Sequence, residues 1–212
     1  MIAPEGKIII IPLIILVLII FGINTFFSLK ILKLANIIGI VCVCFSLYFF
    51  RDPHRRTPKE QGFLSPADGK IIQIIDSEDE ELGSIKIIAI FLSIWDVHSQ
   101  RVPLSARVIS KKYNSGNFFA AFKQKASEFN EHSIVLFETE RGKRFKIKQI
   151  AGLVARRIIN YMEPNRFVNR GQRLGFIRFG SRVEILVPQD FQIDINVGDI
   201  VIGNYTILGR FL

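Results

Sequence analysis

Near its start the chain carries two long runs without a single charged residue, Ile8 to Leu29 and Leu34 to Phe50. A helix that crosses a bilayer needs roughly 17–25 mostly apolar residues; the first run meets this with room to spare and the second only just. A removable signal peptide would end in a small-residue cleavage site, whereas here a second apolar run follows directly. The expectation is a membrane-anchoring helical hairpin over residues 1–50, with Pro12 tolerated near its start. A buried core hairpin is the competing reading, and the length of the runs argues against it. What remains, residues 51–212, is the size of one further domain.

Charge sets the orientation and suggests partners. The link Ser28–Lys33 holds Lys30 and Lys33, while Lys7, Arg51, Arg55 and Arg56 lie on the other side of a hairpin. Basic residues favour the cytoplasmic side, which places both termini, and with them residues 51–212, on the cytoplasmic face of the cell membrane. The whole chain has a formal charge of +9, and residues 51–212 carry 25 of its 28 basic and 18 of its 19 acidic residues, a net +7. Such a domain is drawn to anionic membrane lipid, by about 1 kcal/mol for each Lys or Arg near the surface. No aromatic-basic motif points to nucleic acid. Cys42 and Cys44, the only cysteines, lie inside the second apolar run. Two ligands cannot build a zinc centre, so they are apolar filler and no metal is expected. The absence of a disulfide framework fits a cytoplasmic address.

From Phe63 onward the pattern becomes short β-branched runs separated by turns: Ile71–Ile75, Ile85–Leu92, Ile134–Phe137, Phe145–Ile150, Val183–Val187 and Phe191–Ile195. Several alternate apolar with polar, as expected of strands with one buried face. The expected fold is mainly β, with turns at Ser65–Gly69, Gly171–Gly175 and Gly198–Gly203. Their rhythm resembles the flattened barrel or sandwich of biotinyl and lipoyl domains, although no lysine sits in a turn suited to carrying such a group. Between Tyr113 and Glu131 the strand pattern lapses, and Phe118, Phe119 and Phe122 take helical spacing. They line a lipid groove or, as aromatic stripes more often do, pack into the core. His132 reads as a turn residue.

Chemistry concentrates at Gly180-Ser181, between two short strands within Gly171–Pro188. Glycine has no Cβ, so its carbonyl can be approached closely and its backbone bent cheaply. A serine that follows it can attack the carbonyl of its own peptide bond, although most Gly-Ser pairs are ordinary turns. A general base is needed, and the chain has three histidines. His98 lies at the end of an apolar run, in Phe91-Leu-Ser-Ile-Trp-Asp-Val-His98, where scaffolds present reactive groups. His54 sits in the basic exit sequence and faces lipid headgroups. Asp68, in the turn Ser65-Pro-Ala-Asp-Gly-Lys70, is the candidate to orient His98, with Asp96 as its local competitor. Ser181, His98 and Asp68 thus compose a nucleophile, base and orienter. A membrane-bound serine hydrolase could use the same three residues, but the G-x-S-x-G elbow is missing. A lipoyl-like adaptor without catalysis is the third reading.

Phe50-Arg-Asp-Pro53, Leu64-Ser-Pro-Ala-Asp-Gly-Lys-Ile71, Phe91 to His98, Arg101-Val-Pro103, Gly152-Leu-Val-Ala-Arg-Arg157 and Gly175 to Pro188 together resemble the short, bacterial and archaeal form of phosphatidylserine decarboxylase. The likeness runs along essentially the whole chain. It implies a proenzyme that cuts itself between Gly180 and Ser181, giving a β chain, 1–180, and an α chain, 181–212, which stay together as a heterodimer. Asp68, His98 and Ser181 match the self-processing triad, and Ser181 becomes a covalent pyruvoyl group. That group forms a Schiff base with the amine of phosphatidylserine; loss of CO2 leads to phosphatidylethanolamine, a step of phospholipid biosynthesis. The resemblance leaves open a serine ether lipid as substrate and a homo-oligomeric assembly. Some longer members carry a second histidine three positions after the first; here Arg101 stands in its place.

Overall fold

The computed structural model describes residues 1–117, 119, 127, 129–152, 157–178 and 180–212. The chain separates into two compact units, Met1–His54 and Arg55–Leu212.

In the first unit, α1 spans Pro4–Phe27 and α2 spans Lys30–Phe49. Proline at the first helical position costs no hydrogen bond, because that N–H has no intrahelical acceptor anyway. Pro12 lies within α1, which continues past it. The link is only Ser28-Leu29. Ser28 adopts a left-handed conformation (φ 49°, ψ 34°) and donates its N–H to the Asn24 carbonyl, which ends α1; Leu29 is extended. Lys30 and Lys33, expected in a six-residue link, therefore sit in the first turn of α2. The helices pack against each other, closely enough at Gly39 that a Cβ there would stand 2.6 Å from Val17 Cγ2. Their far ends are tied by Ala3 N–H to Phe50 O and Asp52 N–H to Met1 O, both 2.7 Å. Both helices are long and apolar enough to cross a membrane, and only 6% of each apolar window is buried.

The second unit is built of strands: β1 Phe63–Leu64, β2 Gly69–Asp79, β3 Gly83–Leu92, β4 Ser99–Arg101, β5 Ala106–Asn114, β6 His132–Glu138, β7 Arg144–Ala151, β8 Ile158–Asn160, β9 Phe167–Val168, β10 Arg173–Ile177, β11 Ser181–Pro188, β12 Phe191–Ile193, β13 Ile200–Val201 and β14 Ile207–Phe211. Eight form one antiparallel sheet in the order β13-β2-β3-β11-β7-β6-β5-β9. Two three-stranded sheets, β1-β14-β12 and β4-β10-β8, complete the unit. The expected class is found: mainly β, with a curled, half-barrel sheet, and a hairpin of two apolar helices at the N-terminus.

Alternation assigns the faces of the large sheet. Ile88, Ile90 and Leu92 of β3, Val183, Ile185 and Val187 of β11, and Phe145, Ile147 and Ala151 of β7 all join one buried cluster. Phe145 stacks on Phe137 at 4.9 Å and meets Phe63 edge-on at 5.0 Å. The opposite face carries buried polar residues, among them the ion pair Arg182–Glu184 at 2.7 Å. Lys146 there reaches Asp79 and Glu81. Burial works against its charge, but the two carboxylates outweigh that and raise its pKa.

His132 is not a turn residue. It opens β6, opposite Ile150 of β7, and is buried. The tight turn expected at Asn130-Glu-His-Ser133 is replaced by strand pairing, because β7 and β5 both offer ladder partners. The proposed stripe of phenylalanines falls largely outside the described residues, which include Phe119 but neither Phe118 nor Phe122.

Candidate active site

Ser181 is the first residue of β11, a central strand flanked by β3 and β7. Its register partners are Leu92 and Ala151. Strand alternation puts its side chain on the same face as Val183 and Ile185, toward the apolar cluster. A hydroxyl on that face is out of place unless something uses it. Its Oγ is buried and has no hydrogen-bond partner among the described residues. Gly180 precedes it in a left-handed conformation, φ 64°, which side-chain-bearing residues rarely adopt.

The same end of the sheet collects the other candidates. Lys70 pairs with Phe91, so the start of β2 lies beside the end of β3, whose Leu92 pairs with Ser181. Asp68, just before β2, is therefore about two strand spacings from Ser181, roughly 10 Å along the sheet. Arg55 grips Asp68 with both terminal nitrogens, Nη2 at 2.7 Å from Oδ2, and Gly203 N–H donates to Oδ1 at 2.8 Å. These bonds hold the Asp68 carboxylate between Arg55 and the Gly203 amide.

His98 follows β3 after one turn, which Asp96 closes by accepting from the Ser93 N–H at 2.8 Å and hydroxyl at 2.7 Å. The imidazole is fully buried, and Nδ1 lies 2.9 Å from the Asp96 carbonyl. A carbonyl only accepts, so Nδ1 bears the proton and Nε2 is the basic nitrogen of the neutral ring. Asp96, the local rival to Asp68, thus fixes the tautomer through its backbone, while its carboxylate caps the turn.

Sequence reasoning passed over a chain of three amides that starts at His98, two of them buried and one half-buried. Gln100 Nε2 donates to the His98 carbonyl at 2.8 Å, Gln149 Nε2 donates to Gln100 Oε1 at 3.0 Å, and Asn160 Nδ2 donates to Gln149 Oε1 at 2.7 Å. A signal for one of them was present. Gln149 occupies the core parity of β7, in line with Phe145, Ile147 and Ala151, where a polar side chain needs a buried partner. Arg55 also went unrecognised, since nothing local distinguishes it from Arg51 or Arg56.

The chain is similar to known proteins over most of its length. A family model described as phosphatidylserine decarboxylase matches residues 44–209. A phosphatidylserine decarboxylase proenzyme of Desulfotalea psychrophila is 39% identical over 183 residues, 85% of this chain and 86% of the relative. One of Syntrophus aciditrophicus is 39% identical over 196 residues, covering 90% and 92%. One of Pelobacter propionicus is 42% identical over 168 residues, covering 78% and 76%. With a family match across most of its length, and with Gly180-Ser181 at the sheet end that also carries Asp68 and His98, the chain belongs to the phosphatidylserine decarboxylase family.

Proposed function

We propose that this protein is a membrane-anchored decarboxylase that converts phosphatidylserine to phosphatidylethanolamine and CO2, using a pyruvoyl group made from its own Ser181. The observation that carries the reading is the buried, unpartnered Ser181 hydroxyl behind a left-handed Gly180, among the described residues. His98 Nε2 takes the hydroxyl proton, and Oγ attacks the Gly180 carbonyl carbon. The peptide C–N bond breaks as the ester forms, and the proton passes to the freed nitrogen. Loss of the Ser181 α-proton then expels the Gly180 carboxylate. Hydrolysis of the resulting dehydroalanine releases ammonia and leaves the ketone at position 181. When present, that carbonyl supplies the electron sink that decarboxylation of an amino acid needs. Asp68 is the carboxylate of the set, held at this end of the sheet by Arg55 and the Gly203 amide.

The fold supports survival of the cut. β11 pairs with β3 along its whole length and with β7 over its first six residues, Ser181–Leu186. Scission before its first residue leaves those ladders intact, so chains 1–180 and 181–212 remain one heterodimer. Residues 1–50 anchor the catalytic domain, 51–212, at the cytoplasmic face of the cell membrane, and the basic domain attracts anionic lipid.

Intact-mass spectrometry of purified protein tests the reading. Two masses split at 180/181 are expected, the smaller beginning with a pyruvoyl group, against a single 24.2 kDa chain for Ser181→Ala. His98→Ala slows the cut by roughly 10²–10⁴, the usual contribution of a general base. A folded wild-type chain that stays whole would sink the proposal.

A further inference from the structure

Apolar side chains crowd the rim of the β unit at the end where Ser181 lies. The turn between β3 and His98 presents Ile94, 39% exposed, and Trp95, 60% exposed. Two strands away, β13 pairs with the start of β2 through Ile200–Lys70 and Val201–Gly69. Ile200 is 80% exposed, and Ile202 and Tyr205, just beyond the strand, are also exposed. The Gly203 N–H bond to Asp68 fixes Ile202 level with the site. Strands β13, β2, β3 and β11 are consecutive in the sheet, so this rim spans about 14 Å. Lys70 and Arg56 stand exposed beside it. Asp199, an acid on the same edge, is turned back to cap the Asn196 N–H at 2.8 Å.

These side chains are not spare core. Ile71, Ile90 and Leu92 on the adjoining strands β2 and β3 are fully buried, so the unit separates its apolar residues between an interior and this rim. Tryptophan and tyrosine, with an apolar body and a polar tip, settle at the boundary between headgroups and acyl chains. Lysine and arginine next to them suit anionic headgroups. The chain also carries two helices of membrane-spanning length. A lipid whose headgroup must reach a buried Ser181 has to arrive at this end of the sheet.

We infer that the rim formed by Ile94, Trp95, Ile200, Ile202 and Tyr205 docks on the surface of an anionic lipid bilayer, so that the substrate headgroup enters the site without its acyl chains leaving the membrane. The occupant, a bilayer, rests on the phosphatidylserine reading of the site. The contact itself can be tested without turnover.

Trp95 is the single tryptophan of the chain, so its fluorescence reports this turn alone. Full-length protein is placed one copy per lipid nanodisc, in phosphatidylglycerol with phosphatidylcholine whose acyl chains are either plain or brominated. Brominated chains are expected to cut Trp95 emission at least twofold, while aqueous iodide has little effect. Strong iodide quenching with no bromine effect would overturn the inference, because the turn would face water. Protection from both quenchers would overturn it too, because the turn would then be covered by protein. Ser181→Ala should show the same bromine quenching. Loss of decarboxylation and loss of docking are therefore separate results.

Discussion

The hairpin and the β unit spend the same residue types in opposite ways. In α1, Ile8, Ile15, Leu16, Leu18 and Phe21 are more than half exposed, whereas Ile71, Ile88, Ile90 and Phe145 of the β unit are buried completely. The hydrophobic effect favours removal of apolar surface from water, by about 25 cal/mol for each Å². The β unit achieves that removal within itself. The hairpin leaves its apolar surface outward, which suits a solvent of lipid chains, where every backbone group must find its partner within the helix. The difference matches the roles proposed for them: anchoring for the hairpin, chemistry for the β unit.

The sharpest attempt to break this comparison is to remove residues 1–54. In high salt, which screens the attraction to anionic lipid, the remaining chain should move from the membrane pellet to the supernatant and still cut itself at 180/181, as read by sedimentation and mass spectrometry. Loss of cutting in a folded truncation would show that the hairpin takes part in the chemistry. Next in size is a matched pair of truncations. Phe145→Ala empties a space between Phe137 and Phe63 and should cost about 3–5 kcal/mol, whereas Phe21→Ala, on an exposed helix face, should cost less than about 1 kcal/mol. Thermal denaturation of both in one detergent checks this, and equal losses would dissolve the contrast.

The smallest effect concerns His132. Burial holds its pKa below the ordinary histidine value, against a raising contribution from the Asn130 carbonyl. Nδ1 meets that carbonyl at 2.7 Å and Nε2 meets Asn114 Nδ2 at 3.0 Å, a pattern that fits the neutral ring. Below pH about 6.5 the unfolded chain takes up a proton that the folded one refuses, so stability falls as pH drops through that range. Stability measured between pH 7 and 5 should show the decline, and His132→Gln should flatten it.

Expectation and structure part company where pairing is non-local. The apolar helices were readable because their pattern is long and repeats within the segment itself. Strands β2, β3, β6, β7 and β11 were readable because alternation marks a half-buried strand. Strands β4, β8 and β9, of two or three residues, are too short to show any period, and they exist because neighbouring strands offer them hydrogen bonds. β5 was missed for another reason: Ser110-Lys-Lys-Tyr-Asn114 is polar and mostly exposed, yet pairs along its length with β6. His132 misled because its neighbours read as turn formers.

At the site the division is similar. Family motifs, with the Gly-Ser pair at their centre, singled out Gly180, Ser181, His98 and Asp68 as a set, since each lies in a short local signature. Which groups each one touches was not in the sequence. Asp68 is gripped by Arg55, thirteen residues earlier, and by the amide of Gly203, far later in the chain. His98 takes its tautomer from a backbone carbonyl two residues away. The sequence alone determined two apolar helices, a β-rich remainder and Ser181 as the candidate nucleophile, because periodicity and reactive residue types are local properties. Only the tertiary structure decided that β2, β3 and β11 end together and that Ser181 turns toward the apolar face, because strand register is fixed by hydrogen bonds between segments that the sequence keeps far apart.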